Sequence, residues 1–317
     1  MSAQTPAVPV PSAGDPLAPD LSADRSAGGA PHRMPIGRWF VELGWRHLVG
    51  IAMIVFAVFP ILFIVSASFN PLGTVASSGL IPKDFSLVHY QALIRGDRGP
   101  FLRWYLNTII VCVVVGLATV LMSTMAAYAF SRFRFAGRRA GMLALLLVMM
   151  FPAILSMIAI YTMLSGLGLA VPALGLDSLA GYVIVLLGGS LGQVWLIKGF
   201  FDTIPKELDE AAIIDGASHW QVFSRILLPA LVPILATTLL LSLVGTMSEF
   251  LLGSLLLTSN DNKTLAVGLY GMLAGDRSNN LGVFAAGSVM IMVPVIILYQ
   301  FLQRYIVGGS TAGAVKG

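Results

Sequence analysis

From Leu48 onward, long apolar runs recur along the chain, separated by short stretches where Arg, Lys, Asp, Glu, Gly and Pro gather. A membrane-spanning helix needs roughly 20 apolar residues at about 1.5 Å of rise each. Six stretches reach that length: Leu48 to Phe69, Trp104 to Phe130, Ala140 to Leu164, Gly181 to Phe201, Ala230 to Leu257 and Val283 to Val307. The uncharged run that begins at Ala140 continues to Leu176, but Gly166, Gly168, Pro172 and Gly175 break its second half, which reads as an exported loop or short surface helix. Pro60, Pro152, Pro233 and Pro294 fall within spans, where each is expected to remove a backbone donor and bend its helix. Gly188 and Gly192, with Gly189 between them, form a small-xxx-small step that lets a second helix approach closely.

Composition agrees with lipid as the solvent for much of the chain. Of the 317 residues, 57% are apolar and 11% charged, against roughly 25% charged in an ordinary soluble domain, and the mean hydropathy is +0.86. The single cysteine, Cys112, excludes a disulfide framework and multi-cysteine metal sites, and four scattered histidines leave little for a histidine cluster. Residues 1–34 are rich in Pro, Ala, Ser, Gly and Asp and read as a disordered cytoplasmic tail. No apolar stretch follows a basic start before Leu48, so the tail is expected to stay on the mature chain.

The net charge of +4 is distributed unevenly. The N-terminal flank carries Arg25, Arg33, Arg38 and Arg46; the second connection Arg132, Arg134, Arg138 and Arg139; the fourth Lys198, Lys206 and Arg225; the C-terminus Arg304 and Lys316. These thirteen stand against six on the opposite connections, which places the thirteen, and both termini, in the cytoplasm. The expected fold is therefore all-α: a polytopic bundle of six spans over residues 35–307, in the cytoplasmic membrane, with a short cytoplasmic tail over 308–317.

One cytoplasmic connection departs from the basic rule. Residues 205–229 hold Glu207, Asp209, Glu210 and Asp215 beside Ala211, Ala212, Ile213 and Ile214, an acidic and small-residue surface suited to a protein partner. Gly216 is placed to end a short helix, and Ser218 followed by Gln221 is a capping-box start for the next. Helix, glycine turn, helix also describes a DNA reader, but Arg225 alone is basic near the would-be recognition helix, so nucleic acid is excluded as a partner.

The spacing of Glu210, Ala211, Ala212, Gly216, Ile226, Leu228 and Pro229 resembles the EAA signature of inner-membrane subunits of bacterial ABC importers. Further stretches narrow the resemblance: Ala127 to Arg132, Met150 to Tyr161, Ser254 to Gly268 and Gln303 to Gly317 together are similar to permeases of the carbohydrate-uptake family, specifically the smaller permease subunit of maltose and maltodextrin importers. The likeness covers residues 48–317 and leaves the N-terminal tail without a counterpart.

The resemblance implies a permease that, with a second and larger permease subunit, forms a path for maltose- or maltodextrin-type sugars; trehalose or another oligosaccharide is the alternative cargo. It implies two copies of an ATPase subunit and an extracytoplasmic sugar-binding protein as partners. Glu210, Ala211, Ala212, Asp215, Gly216, Ile226, Leu228 and Pro229 would couple to the ATPase; Thr311, Ala312, Gly313, Val315, Lys316 and Gly317 would form a tail against it; Asn260, Asp261, Asn262, Lys263 and Thr264 would form a loop that meets the binding protein. The chain has no G-x-x-x-x-G-K-[ST]. It is therefore expected to be no enzyme and to bind no cofactor itself, with ATP and Mg held in the partner ATPase.

Glu249 is singled out because a carboxylate inside a span is costly and marks a functional site. The resemblance places an acid there too, and the expectation is that Glu249 lines the translocation cavity or its gate. Gln193 and Asn107 are weaker cavity candidates. A proton- or sodium-coupled carrier is the rival class, yet Glu249 is the one ionisable group at mid-membrane, which suits such a carrier poorly. An intramembrane enzyme would need convergent catalytic groups, and the spans hold no Ser/His pair or metal-ligand set.

Overall fold

The computed structural model describes residues 36–74, 79–82, 84–275 and 277–314. The N-terminal tail expected over 1–34 lies outside them. No strand occurs among the described residues, and the chain divides into two compact units, Met1–Val58 and Phe59–Gly317. In the first, a helical turn at Ile36–Trp39 and a π-helical turn at Phe40–Gly44 lead into α1, Trp45–Phe69. The apolar side chains from Leu48 to Val58 are exposed, Phe56 by 77%, as a lipid-facing or partner-facing helix requires.

The second unit is built around α3, Phe101–Arg132, which follows the short α2, Val88–Arg95. Residues Trp104, Thr108, Val111, Val115, Thr119, Ser123, Ala127 and Ser131 of α3 are buried at helical spacing of three and four, so one stripe of this helix faces protein along its whole length. Polar members of that stripe hydrogen-bond where apolar contact alone gives little driving force between helices. Ser123 Oγ, for example, donates to the Ser190 carbonyl at 3.0 Å.

Around α3 lie α4, Arg138–Met150; α5, Ala153–Ala170; α6, Leu179–Gly188; α7, Leu191–Phe201; α8, Glu207–Ile214; and α9, His219–Ala230, whose middle is π-helical. The chain closes with α10, Val232–Ser248; α11, Leu251–Leu256; α12, Leu265–Gly275; and α13, Arg277–Ala314. Helix α3 packs on α6, α7, α10 and α12, and α13 covers α10, α12 and α2. Three apolar clusters line up along α3: Phe101 and Trp104 with Leu93, Leu265 and Leu269; Val111 and Val115 with Leu164, Tyr182 and Leu256; Ala127 with Phe201, Phe223 and Leu227.

Among the described residues four helices are individually long and apolar enough to span: Glu42–Phe69, Phe101–Arg132, Ala153–Ala170 and Asn280–Ile306. Two bent pairs, α6 with α7 at 45° and α9 with α10 at 75°, bring the number to as many as six. The count matches the expectation, but the continuity does not. The stretch Ala140 to Leu164 is broken at Phe151–Pro152, and helix instead runs through Gly166 and Gly168 to Ala170. Gly168 is a close-packing residue rather than a breaker, since a Cβ on Gly175 would lie 2.6 Å from the Gly168 Cα, whereas Pro172 and Gly175 do fall beyond the helix end. The stretch Gly181 to Phe201 bends at Gly189–Ser190, so Gly188 is no packing step; nothing lies within 4 Å of a Cβ built on it. The fifth stretch ends as helix at Ser248 and resumes at Leu251. Of the four prolines, Pro60 and Pro294 lie inside continuous helices, whereas Pro152 and Pro233 start new ones, where a missing N–H is harmless. The expected C-terminal tail is helical as far as Ala314.

Candidate functional site

The acidic connection folds as the helix-turn-helix its residues specify. Helix α8 opens with Glu207, Asp209 and Glu210 in its first turn, where carboxylates complement the helix dipole. Its end is a Schellman motif: the Ala217 N–H donates to the Ala212 carbonyl at 2.9 Å and the Gly216 N–H to Ile213 at 3.0 Å. Gly216 sits at φ +86°, a conformation that needs no side chain. Ser218 and Gln221 form the reciprocal capping box, Ser218 N–H to Gln221 Oε1 at 2.7 Å and Gln221 N–H to Ser218 Oγ at 3.3 Å.

The two faces of α8 differ. Glu210, Ala211, Ile213 and Ile214 are exposed, Ile214 by 85%, and so are Asp215 and Gly216. Ala212 turns inward among Phe201, Val222, Phe223 and Leu227, and Ile226 and Leu228 pack against the same cluster. Pro229 lies in the last turn of α9, just before the bend into α10.

Asp209 also turns inward, where its Oδ2 meets Arg132 Nε of α3 at 2.6 Å; the two side chains are 14% and 6% exposed. The same guanidinium donates from Nη2 to the Ile204 carbonyl at 3.0 Å. Burial pushes the Asp209 carboxyl above the ordinary value against the pull of Arg132, and Glu210 beside it pushes the same way. One residue away, Ser131 Oγ donates to Asp202 Oδ1 at 2.6 Å, and Lys198 pairs with the other oxygen. The Asp202 carboxyl is partly desolvated, but the bonds from Lys198 and Ser131 outweigh that and hold it below the ordinary value.

Deeper along α3, a cavity of about 230 Å³ is lined by Val115 and Thr119 of α3, Ser190 and Gln193 at the α6–α7 break, Ser242 of α10, and Glu249. Glu249 stands at the break between α10 and α11. Its Oε1 accepts the Leu252 N–H at 2.7 Å, and its Oε2 accepts the Gly253 N–H at 2.9 Å and the Tyr182 hydroxyl at 2.6 Å. The carboxylate thus caps α11 with negative charge at a helix N-terminus and ties α6 to the break.

On the opposite side of the bundle from the α8 turn, residues 258–264 join α11 to α12 and are held through their backbone. Trp104 Nε1 donates to the Asn260 carbonyl at 2.7 Å, and Asn107 Nδ2 donates to the Asp261 and Lys263 carbonyls at 2.8 and 3.0 Å. Asn107 therefore belongs to this loop and not to the cavity, which Gln193 does line. Asp177, at φ +55°, accepts the Thr258 and Ser259 N–H groups at 2.9 Å each, and its own carbonyl accepts from Asn262 Nδ2. Arg103 donates to the Asp261 carbonyl at 3.0 Å. Asn260 and Asp261 keep exposed side chains, Asn262 and Lys263 are half-buried, and Thr264 is buried. Thr311, Ala312 and Gly313 continue the α13 backbone, while Val315, Lys316 and Gly317 lie outside the described residues.

Residues 119–309 match the family of inner membrane components of binding-protein-dependent transport systems. The chain belongs to this family. Among relatives, the maltose/maltodextrin transport system permease protein MalG of Vibrio vulnificus YJ016 is 39% identical over 282 residues, covering 86% of this chain and 95% of the relative. MalG of Escherichia coli K12 is 38% identical over 283 residues, with the same coverage. A chain of a bacterial ABC transporter that imports the acidic polysaccharide alginate superposes with a TM-score of 0.69 at 26% identity, covering 87% of this chain and 99% of that one. The protein is thus a transport component of the inner membrane and not an enzyme, and its α8 turn, cavity and 258–264 loop are parts of a permease.

Three residues of this permease escape a reading of sequence alone. Arg132 reads as one more cytoplasmic arginine, Tyr182 as an apolar-span aromatic and Asp177 as a loop acid; each becomes a positioning residue through a partner distant in sequence. Asp177 carried a faint signal, since Asp followed by Ser between two helices is a common turn and capping pair.

Proposed function

We propose that this permease pairs with a second permease subunit to form the path of an ATP-driven importer of maltose- or maltodextrin-type sugars, loaded by an extracytoplasmic binding protein. Two copies of an ATPase subunit supply the energy. The observation that carries the reading is the α8 turn: Glu210, Ala211, Ile213, Ile214 and Asp215 are exposed on a capped helix end, an acidic and apolar surface left uncovered by the described residues. Glu210 is placed to meet a basic group of the ATPase, and the small Ala211 and Gly216 allow close approach. The loop at Asn260 and Asp261 presents exposed polar side chains to the binding protein, and the groove at Glu249, Gln193 and Thr119 lies on the route between the two. The charge asymmetry of the connections orients the α8 turn to the cytoplasm and the loop outward.

ATP closure of the two ATPase subunits would move α8, and that motion would turn the cavity between inward- and outward-facing forms. The test is reconstitution of the complex purified through this chain, with ATP hydrolysis followed with and without binding protein and maltose, and comparison with Gly216→Pro. Stimulation by loaded binding protein in the wild type, lost in the variant, is the expected result, because proline cannot adopt φ +86°. Hydrolysis indifferent to maltose but responsive to trehalose or another oligosaccharide reassigns the cargo; absence of a co-purifying ATPase ends the importer reading.

A further inference from the structure

The strongest unabsorbed feature of the molecule is the buried charge pair under α8. This helix has eight residues, too few to hold itself in water without tertiary support. Its inward face offers little for that: Ala212 alone is buried, and an alanine side chain contributes small apolar area. The other inward group is Asp209, locked to Arg132 of α3, whose guanidinium also grips the carbonyl of Ile204 in the turn that precedes α8. One side chain thereby touches both α8 and the turn before it. Its contact with Asp209 is an ion pair without hydrogen-bond geometry, since Arg132 Nε and Asp209 Oδ1 both lack a hydrogen-bond partner among the described residues.

A buried ion pair contributes little net stability compared with apolar residues of similar volume, so its presence calls for a reason other than holding the fold together. Helix α3 supplies one. From Arg132 it runs without a break, about 20 Å back along its axis to Thr119 and about 26 Å to Val115, both in the wall of the cavity that contains Glu249. We infer that the Arg132–Asp209 pair is the rigid link through which displacement of α8 is delivered to α3 and so to the cavity wall. The two are positioning residues for coupling. Neither needs to touch the ATPase or the cargo. The exposed face of α8 receives the push, the ion pair prevents α8 from rocking on Ala212, and α3 carries the displacement. Lys198, Asp202 and Ser131 brace the α3 end from the neighbouring turn.

This inference rests on the importer reading, and the experiment separates the two. The neutral double variant Arg132→Gln with Asp209→Asn removes both buried charges together, so no unpaired charge is left to spoil assembly. In the reconstituted complex it is expected to keep basal ATP hydrolysis but to transport about fivefold less sugar, or less still, for each ATP hydrolysed. The single variant Asp209→Asn leaves Arg132 unpaired and is expected to lower the yield of complex as well. Amide exchange over residues 207–216 provides a second readout that does not depend on ATPase binding, and it is expected to quicken in the double variant while the amides of α3 stay protected. A wild-type ratio of sugar to ATP in the double variant, or unchanged exchange over 207–216, overturns the inference. Failure of the importer reading looks different: the wild-type complex itself would show no response to loaded binding protein.

Discussion

The carboxylate of Glu249 makes three hydrogen bonds at once, and the energetics of that node can be worked out from its partners. Tyr182 is fully buried, and its hydroxyl donates to Oε2 at 2.6 Å. A hydrogen bond to a charged group contributes about 1.5–3 kcal/mol in soluble proteins, but side-chain bonds between membrane helices average about 0.6 kcal/mol and reach about 1.7. Tyr182→Phe removes the hydroxyl and leaves the carboxylate with its two backbone donors, so the expected cost is about 1–2 kcal/mol. Glu249→Ala is far worse. It strands the Tyr182 hydroxyl together with the Leu252 and Gly253 N–H groups, and at about 1–3 kcal/mol for each of the three stranded groups the total is about 3–9 kcal/mol. Glu249→Gln keeps the shape, but one of its two heads is now a donor, which must face either a backbone N–H or the tyrosine; about 2 kcal/mol is expected. The assay is SDS-induced unfolding in mixed micelles, run as a double-mutant cycle over Tyr182→Phe and Glu249→Gln. A coupling near 1 kcal/mol is expected. Additivity within about 0.3 kcal/mol would refute the claim that the carboxylate ties α6 to the α10–α11 break. Uptake by Tyr182→Phe, normalised to assembled complex, then asks whether the tie matters to transport beyond stability.

Other outcomes follow from single contacts. A Cβ built on Gly216 meets nothing within 4 Å, so its variants report backbone strain alone; Gly216→Ala should cost about 1–2 kcal/mol and Gly216→Asn clearly less, read as thermal stability and as stimulated ATP hydrolysis. A Cβ on Gly268 would lie 2.1 Å from the Trp104 ring, so Gly268→Ala should destabilise by about 3 kcal/mol or more and free the Asn260 carbonyl from Trp104 Nε1, visible as a red shift of tryptophan emission. Desolvation is the largest single influence on the Asp177 carboxyl and raises it, but the hydrogen bonds from Ser259, Thr258 and Asn262 together outweigh it and hold the group below 3.8, its unperturbed value. A lowered folded-state value stabilises above the unfolded-state value and is lost as pH falls through the folded one. Protection of the Thr258 and Ser259 amides, measured against their intrinsic exchange rates, should therefore hold down through mildly acidic pH and fall only well below the ordinary carboxylate range, whereas Asp177→Ala should lower it at every pH.

How much of this was legible in the residues differs from feature to feature, and the difference has a physical cause. Each of the six apolar runs overlaps one of the four candidate spans or two bent pairs, because exclusion of water depends on composition summed over a window. The α8 turn was legible down to its atoms, since Gly216, Ser218 and Gln221 act through bonds to backbone a few positions away. Of the helix breaks, Pro152 signals the one at Phe151–Pro152, but those at Gly189–Ser190 and Glu249–Phe250 were not legible. Phe151–Pro152, Gly189–Ser190 and Glu249–Phe250 interrupt stretches as apolar as any other, and an unwound turn at membrane depth persists only where other groups satisfy its freed carbonyls and amides. Those groups sit elsewhere in the chain: Ser123 for the Ser190 carbonyl, and the side chain of Glu249 for the start of α11.

The same reasoning separates the two carboxylates that sequence weighed differently. Glu249 drew notice as an acid inside a span, and Asp209 passed as one of four acids on a solvated loop. In the structure Asp209 is committed to the fold as Glu249 is, because its partner Arg132 is itself buried and holds a second segment through Ile204. A charge on a loop costs nothing until the fold buries it, and only the arrival of α3 beneath α8 decides that. Position relative to lipid can be read from composition, whereas position relative to another helix cannot. For that reason the residues that transmit force through this permease lie among the polar ones that composition treats as ordinary surface.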